Sequence, residues 1–433
     1  MEKGVIIEVD EKHEHFLMTT PFHLNNIAQC APNRKFIKSK KKWFLHGLTL
    51  NARYIRGLSG ATFCNGVEEL IEKILKRSEN KFIPFPQSFD FKTEPKSKQL
   101  EALNHAWGKK GFVFSMEMGT GKTKIYIDLV SALYQKKEIN SVVLLTKKSV
   151  CKNTVKEINK HCALSEYFCL IPEYKSKSDQ KKNERFIHKE SMKFVVAGLE
   201  SLSVKENGGK AFSYLWDFMR ENNSCLVVDE SHLIKNPLSN RAKNVFHLAP
   251  LAKYRYAGTG TLLTNSLLDL YSPFQFINPD AIGIGNYYSF KNRYTIKGGF
   301  EGKEIVGYKN VDELMNLIKP WSFQTTKEEM VDLPPKIHIE PIQIEMTKEQ
   351  KKVYNDIKKN KVAEVASIDN MEVAVQSILQ VYLLLQQICA GFVSYYDDGG
   401  KRISEWIVQP DKNPKNKELI SILDENPNAQ FNI

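Results

Sequence analysis

Four short, unbroken apolar runs stand out in the middle of the chain, at residues 112–114, 142–145, 194–197 and 225–228. A further segment, Tyr254 to Ala257, leads into a glycine- and threonine-rich turn. Runs this short and this continuous predict strands buried on both faces, as in a parallel sheet, rather than the alternation of a strand with one wet face. Ile125, Ile127, Leu129 and Val130 open a helical pattern directly after the first run. Strands alternating with helices over residues 95–280 predict one largely parallel α/β sheet with its ligand crevice at the carboxyl ends of the strands.

The pattern differs on either side of this block. Val5, Ile7 and Val9, then Phe16, Met18 and Thr20, alternate around a polar turn at 10–14, which predicts a strand pair. Val67, Leu70, Ile71 and Ile74 fall on one helical face, and Pro84, Pro86 and Pro95 mark a connector. The aromatic cluster Tyr287, Tyr288, Phe290 and Tyr294 reads as core packing. Leu333-Pro334-Pro335-Lys336 is a stiff extended connector. Ile337 and Ile339 alternate after it as a strand, and Ile342 and Ile344 resume out of step beyond Pro341. Thr347 with Gln350 fits a capping box, and 383–388 and 415–423 read as further helices. The expected division is a small α+β domain over 1–80, an α/β lobe over 90–280, and a helical segment and connector over 281–433.

Candidate chemistry sits at two strand ends. Residues 116–123 read Met-Glu-Met-Gly-Thr-Gly-Lys-Thr between a buried strand and a helix. Free N–H groups and the positive end of the helix dipole make such a turn a phosphate cradle. Met118, Gly119, Thr120, Gly121, Lys122 and Thr123 would line it, with Lys122 neutralising the β and γ oxygens and Thr123 ligating magnesium. Met116 stands where the strict P-loop pattern has its first glycine. The second strand end is Asp229-Glu230-Ser231-His232, closing the run 225–228. There Asp229 would hold the same magnesium, while Glu230 orients or deprotonates the attacking water. The bland alternatives, a glycine-rich turn and a solvated strand end, lose ground because the two features occur together at about the separation a P-loop ATPase needs.

Charge adds a partner class. Lys and Arg number 62 against 50 Asp and Glu, giving +12 and a pI near 9.1, which suits a polyanion. Residues 34–56 hold eight basic residues and no acidic one, interleaved with aromatic side chains. Arg34, Lys41, Lys42 and Trp43 are candidates for phosphate contact and base stacking; the competing reading is a solvated hairpin tip with Trp43 in the local core. Seven cysteines without Cys-x-x-Cys spacing fit free thiols in a reducing compartment. No run of about eighteen apolar residues occurs, which argues against a membrane-spanning helix. Abundant Lys, Asn and Ile hint at a bacterial or viral source and a cytoplasmic location; a eukaryotic source would make it nuclear.

The two strand-end motifs resemble motifs I and II of superfamily 2 helicases, and more closely those of Swi/Snf-type DNA translocases, whose loop usually reads Asp-Glu-Met-Gly-Leu-Gly-Lys-Thr. Further landmarks follow in order: Gln99, Thr146-Lys147-Lys148, Ser201-Leu202, Gly260-Thr261, Asn278-Pro279, Leu333-Pro334-Pro335-Lys336 and Gln387-Ile388-Cys389. Leu262 replaces the proline usual after Thr261. The resemblance implies a RecA-like lobe that binds ATP and Mg²⁺, with Gln99 reading adenine. It also implies that Thr146, Lys147, Lys148 and Ser201 touch DNA, and that His232, Gly260 and Thr261 couple nucleotide state to the DNA face. Pro32-Asn33-Arg34 and Lys41-Lys42-Trp43 resemble the HARP accessory domain that precedes the motor in annealing helicases. It implies too that the chain stops where a second RecA-like lobe should begin, so that this lobe is a missing C-terminal segment or a second chain. Trans-cleft arginines in such motors contribute about 10³–10⁵ in rate, and the chain alone is expected to hydrolyse ATP weakly. The expected activity is ATP-driven translocation on duplex or branched DNA, in remodelling, reannealing, repair or recombination. The alternatives are a nucleotide- and DNA-binding regulator without turnover, and a strand-separating helicase.

Overall fold

The computed structural model of the protein describes residues 4–10, 14–32, 34–77, 82–260, 266–299, 304–330, 340–366, 371–396, 402–427 and 429. The chain forms two compact units that divide between Pro334 and Pro335.

The first unit begins with a five-stranded sheet. Strands β1 (Ile6–Asp10) and β2 (His15–Thr19) pair antiparallel around the predicted turn. Helix α1 (Asn25–Cys30), hairpin β3 (Arg34–Ile37) and β4 (Lys42–Leu45), helix α2 (Thr49–Arg56), strand β5 (Thr62–Phe63) and helix α3 (Val67–Arg77) complete it. Its strand order is β3-β4-β2-β1-β5, and Ile7, Phe16, Met18, Leu45, Ile55 and Ile74 form its own buried core.

The α/β lobe follows as α4 (Ser97–Ala106), β6 (Gly111–Met116), α5 (Lys122–Gln135), β7 (Ser141–Thr146), α6 (Cys151–His161), β8 (Tyr167–Leu170), α7 (Lys177–Ile187), β9 (Met192–Gly198), α8 (Lys210–Arg220), β10 (Ser224–Val228), α9 (Asn240–Leu248) and β11 (Ala252–Thr259). Helices α10 (Tyr271–Ile277) and α11 (Tyr287–Tyr294), hairpin β12 (Thr295–Gly298) and β13 (Glu304–Tyr308), helix α12 (Val311–Ile318) and strand β14 (Ser322–Thr325) complete the unit. Seven strands, ordered β14-β6-β11-β10-β7-β9-β8, pair in parallel throughout. The lobe is therefore a RecA-like parallel α/β sheet with helices packed against it.

Two of its strands escaped the sequence pattern, and both lie at the sheet's edges. Strand β8, Tyr-Phe-Cys-Leu, is half-buried, and β14, Ser-Phe-Gln-Thr, offers one large apolar residue. Strand β8 is apolar throughout yet buries only Leu170, and β14 lacks the continuous apolar run of an internal strand. The second carries the lobe well past residue 280, since its partner is β6 itself.

Helix α2 ties the small sheet to the lobe. Leu50 belongs to the lobe's core cluster, and a Cβ on Gly283 would lie 2.7 Å from Leu50 Cγ. Gly283 has a φ of +62°, so glycine is required there both for conformation and for space.

The second unit holds helices α13 (Lys348–Ala366) and α14 (Met371–Cys389) packed together, hairpin β15 (Phe392–Tyr396) and β16 (Arg402–Trp406), and helix α15 (Pro414–Glu425). The Thr347 hydroxyl accepts from Gln350 N–H at 3.2 Å while Gln350 Oε1 accepts from Thr347 N–H at 3.1 Å, the reciprocal cap expected from the sequence. Ile342 and Ile344 lie in chain without strand structure, and the predicted strand at Ile337 and Ile339 falls outside the described residues.

Helix α5 is buried for most of its length and holds an ion pair inside the lobe: Lys124 Nζ lies 2.6 Å from Asp128 Oδ2 and donates to Thr93 O at 2.7 Å. Burial raises the Asp128 carboxyl to about 6 against the opposing pull of Lys124. Asp128→Ala strands a buried ammonium, and a loss of about 3–5 kcal/mol is expected in urea unfolding, whereas replacing both residues by leucine is expected to cost much less.

Candidate nucleotide site

The register of the central strands brings their carboxyl ends to one edge of the sheet, with β11 and β6 running two and three residues past the end of β10. Val228 of β10 stands opposite Leu145 of β7 and Ala257 of β11, and Thr259 of β11 opposite Ser115 of β6. Glu117, Asp229 and Gly260, which follow these strands, and Thr146, which ends β7, therefore lie along one edge.

The loop between β6 and α5 turns through two left-handed glycines, Gly119 at φ +87° and Gly121 at φ +84°. Lys122 is buried and donates to Met116 O at 2.7 Å and to Glu117 O at 3.3 Å, so its ammonium closes the loop on itself. Burial pulls the Lys122 pKa down, and the charges of Asp229, Glu230 and Glu117 push it back up. Thr120 donates its hydroxyl to Glu117 O at 2.7 Å, while Met118 is 60% exposed at the tip. Thr123 is half-buried at the start of α5.

Gln99 is buried behind the loop. Its Nε2 donates to Thr120 O at 2.9 Å and its Oε1 accepts from Lys96 N–H at 2.9 Å, so the amide braces the loop, leaving one N–H and one lone pair for any other partner. A Cβ on Gly121 would come within 2.3 Å of that Nε2.

On the facing strand end Asp229 is pushed up to about 6, first by burial and then by Glu230, with Lys122 opposing. The Tyr126 and Thr146 hydroxyls face it, yet Asp229 Oδ1 has no hydrogen-bond partner among the described residues. A buried, unpartnered carboxylate oxygen within the field of an ammonium is suited to a hydrated divalent cation. Glu230 takes the left-handed conformation at φ +56°, and its Oε2 lies 3.1 Å from His232 Nδ1. Gly258 explains how β11 fits here: a Cβ there would sit 1.5 Å from the Tyr126 hydroxyl and 3.2 Å from Asp229 Oδ1. Gly260 packs against the loop, with Met118 Cγ 3.2 Å from its would-be Cβ; Thr261 lies outside the described residues.

Residues 41–391 match the family model of the SNF2-related domain. The chain belongs to the SNF2-related family. Among curated proteins it is similar to the zebrafish (Danio rerio) DNA excision repair protein ERCC-6-like, 26% identical over 52% of this chain and 15% of that protein. It is also similar to the TATA-binding protein-associated factor MOT1 of Saccharomyces cerevisiae, 32% identical over 39% of this chain and 9% of that one. The Zorya protein ZorD of Escherichia coli is 33% identical over 39% of this chain and 15% of its own length. The SNF2-related chain thus spans a small part of each. Among solved structures, the Sulfolobus solfataricus SWI2/SNF2 ATPase core in complex with dsDNA aligns with a TM-score of 0.46 at 22% identity, over 80% of this chain and 67% of that one.

The remaining candidates of this SNF2-related chain lie outside the glycine loop. Thr146 is buried, with its hydroxyl toward Asp229, so as folded it is not available to a nucleic acid backbone. Lys148 is exposed and Lys147 half-buried at the same strand end; Glu200 Oε2 accepts from Lys148 N–H at 3.0 Å, and Ser201 donates its hydroxyl to Gly198 O at 2.6 Å. In the small sheet Arg34 and Lys41 are exposed, and Lys42 pairs with Glu8. Trp43 is half-buried; its Nε1 donates to Asn25 Oδ1 at 2.9 Å and its ring packs on Phe36 at 5.1 Å. Two neighbours of the site, Tyr126 within α5 and Lys327 just beyond β14, carry no signal in the sequence. Both are placed by packing, with no motif around them.

Gly121→Ala forces a left-handed alanine against Gln99. A loss of at least tenfold in affinity for a fluorescent ATP analogue is expected, with circular dichroism unchanged.

Proposed function

We propose that this chain is the nucleotide-binding lobe of an ATP-driven DNA translocase of the Swi/Snf type. One observation carries the reading: Lys122 and the pair Asp229 and Glu230, distant in sequence, lie within one another's electrostatic reach beyond the carboxyl ends of β6 and β10, which flank β11, in an SNF2-related chain. Lys122 would exchange its bonds to Met116 O and Glu117 O for phosphate oxygens, and the N–H groups of the glycine turn would hold the β-phosphate. Thr123 and Asp229 would hold magnesium, which when bound neutralises charge on the phosphates. Glu230, oriented by His232, would position the attacking water and accept its proton. Gln99 would set the loop and offer its free N–H to adenine, and Gly260 with Thr261 would carry loop movement onward.

Duplex or branched DNA is the partner this reading names. Its support is the net charge of +12 and the exposed cations Arg34, Lys41 and Lys148. The small sheet acts in this reading as a HARP-like accessory element, with Lys42 and Trp43 holding its basic hairpin in shape. A second RecA-like lobe, from the same chain or another, would add the arginines that speed phosphoryl transfer. The compartment follows the host: cytoplasm in a cell without a nucleus, nucleus otherwise.

The test is ATP turnover by the chain combined with a second lobe, with and without duplex DNA. Duplex DNA is expected to raise turnover at least tenfold, and Lys122→Ala to remove it. Nucleotide binding without DNA-stimulated turnover in that mixture would favour a regulator that does not turn over, and unwinding of a tailed duplex would favour a strand-separating helicase.

A further inference from the structure

Lys327 follows β14, more than two hundred residues after the glycine loop, and the fold hangs it over that loop. Because β14 runs parallel to β6, with Thr325 opposite Met116, the chain leaves both strands at the same level. Glu117 then locks the two exits together: its N–H donates to Thr325 O at 3.2 Å, and its Oε2 accepts from Lys327 N–H at 2.9 Å. Glu329 secures the turn from the other side, accepting from the Thr325 hydroxyl at 2.8 Å and from Thr326 N–H at 3.1 Å. With its backbone fixed, the Lys327 side chain extends across Gly119; a Cβ there would lie 3.3 Å from Lys327 Cε and 3.7 Å from Nζ.

The ammonium itself is unspent. Among the described residues Lys327 Nζ has no hydrogen bond and no ion pair, and Glu117 Oε2 is committed to the Lys327 backbone N–H. Its charge reaches Lys122, whose pKa it helps to lower. Two cations directed at one glycine turn repel each other unless an anion lies between them.

We infer that Lys327 is a second phosphate-binding lysine, closing over Gly119 onto the terminal phosphates of the nucleotide that Lys122 grips from below. The inference rests on the nucleotide reading of the loop. It gives the turn 325–330 a direct sense of whether the polyphosphate is present. That turn continues in sequence to Pro334–Pro335, where the two compact units divide.

Binding of fluorescent ATP, ADP and AMP analogues to the full chain decides the matter, with Lys327→Ala, Lys327→Arg and Lys122→Ala compared to the parent. One charge-assisted hydrogen bond predicts that Lys327→Ala weakens ATP binding about tenfold or more and leaves AMP unchanged, with Lys327→Arg recovering most of the loss. Loss of ATP affinity in Lys122→Ala but not in Lys327→Ala overturns the role of Lys327 and leaves the nucleotide reading intact. Equal weakening for all three nucleotides in Lys327→Ala also overturns it, as the mark of a disturbed loop. No binding of ATP by the parent chain overturns both readings.

Discussion

A missing side chain at Gly258 sets the geometry of the whole site. Only a glycine lets the Tyr126 hydroxyl sit against strand β11, within 1.5 Å of where a Cβ would be, and so lets helix α5 approach the sheet closely enough to carry Lys122 into the field of Asp229. That approach brings a buried ammonium close to two partly buried carboxylates, which costs desolvation that their mutual attraction offsets only in part. The raised Asp229 carboxyl and the lowered Lys122 ammonium are the two faces of that cost. Both charges gain from a ligand that brings charges of its own.

The lobe's centre was legible in the sequence because its chemistry and its packing use different residues. Strands β6, β7, β9 and β10 bury both faces and so leave unbroken apolar runs. The loop residues follow them as a compact word. The edges were less legible: β14 has few apolar residues, β8 is a short apolar stretch that stays half-buried, and the partners of both are chosen by topology. The candidate nucleic acid residues were less legible still, since a lysine at a strand end and a threonine beside it look alike in sequence. The fold buries Thr146 against Asp229 while leaving Lys148 in solvent. Lys327 was illegible for a further reason: what defines it is the pairing of β14 with β6, a contact between segments about two hundred residues apart.

Gln99 shows how a residue can sit at the site and still be part of its scaffold. Its amide spends one donor and one acceptor on the protein, bridging the start of α4 to the glycine turn. The loop is therefore held from behind by Gln99, from within by Lys122, and from the side by Glu117 through its bond to the Lys327 backbone. Three independent tethers on eight residues make a preorganised cradle, which lowers the entropy lost when an anion is gripped.

The insertion of Leu50 into the lobe's core bears on how the small sheet and the lobe can move. A leucine plugged beside Gly283, with backbone within 2.9 Å of where a side chain would begin, leaves no slack for sliding. Whatever the basic hairpin grasps is thereby bolted to the body that holds the glycine loop, so a pull on one is a torque on the other.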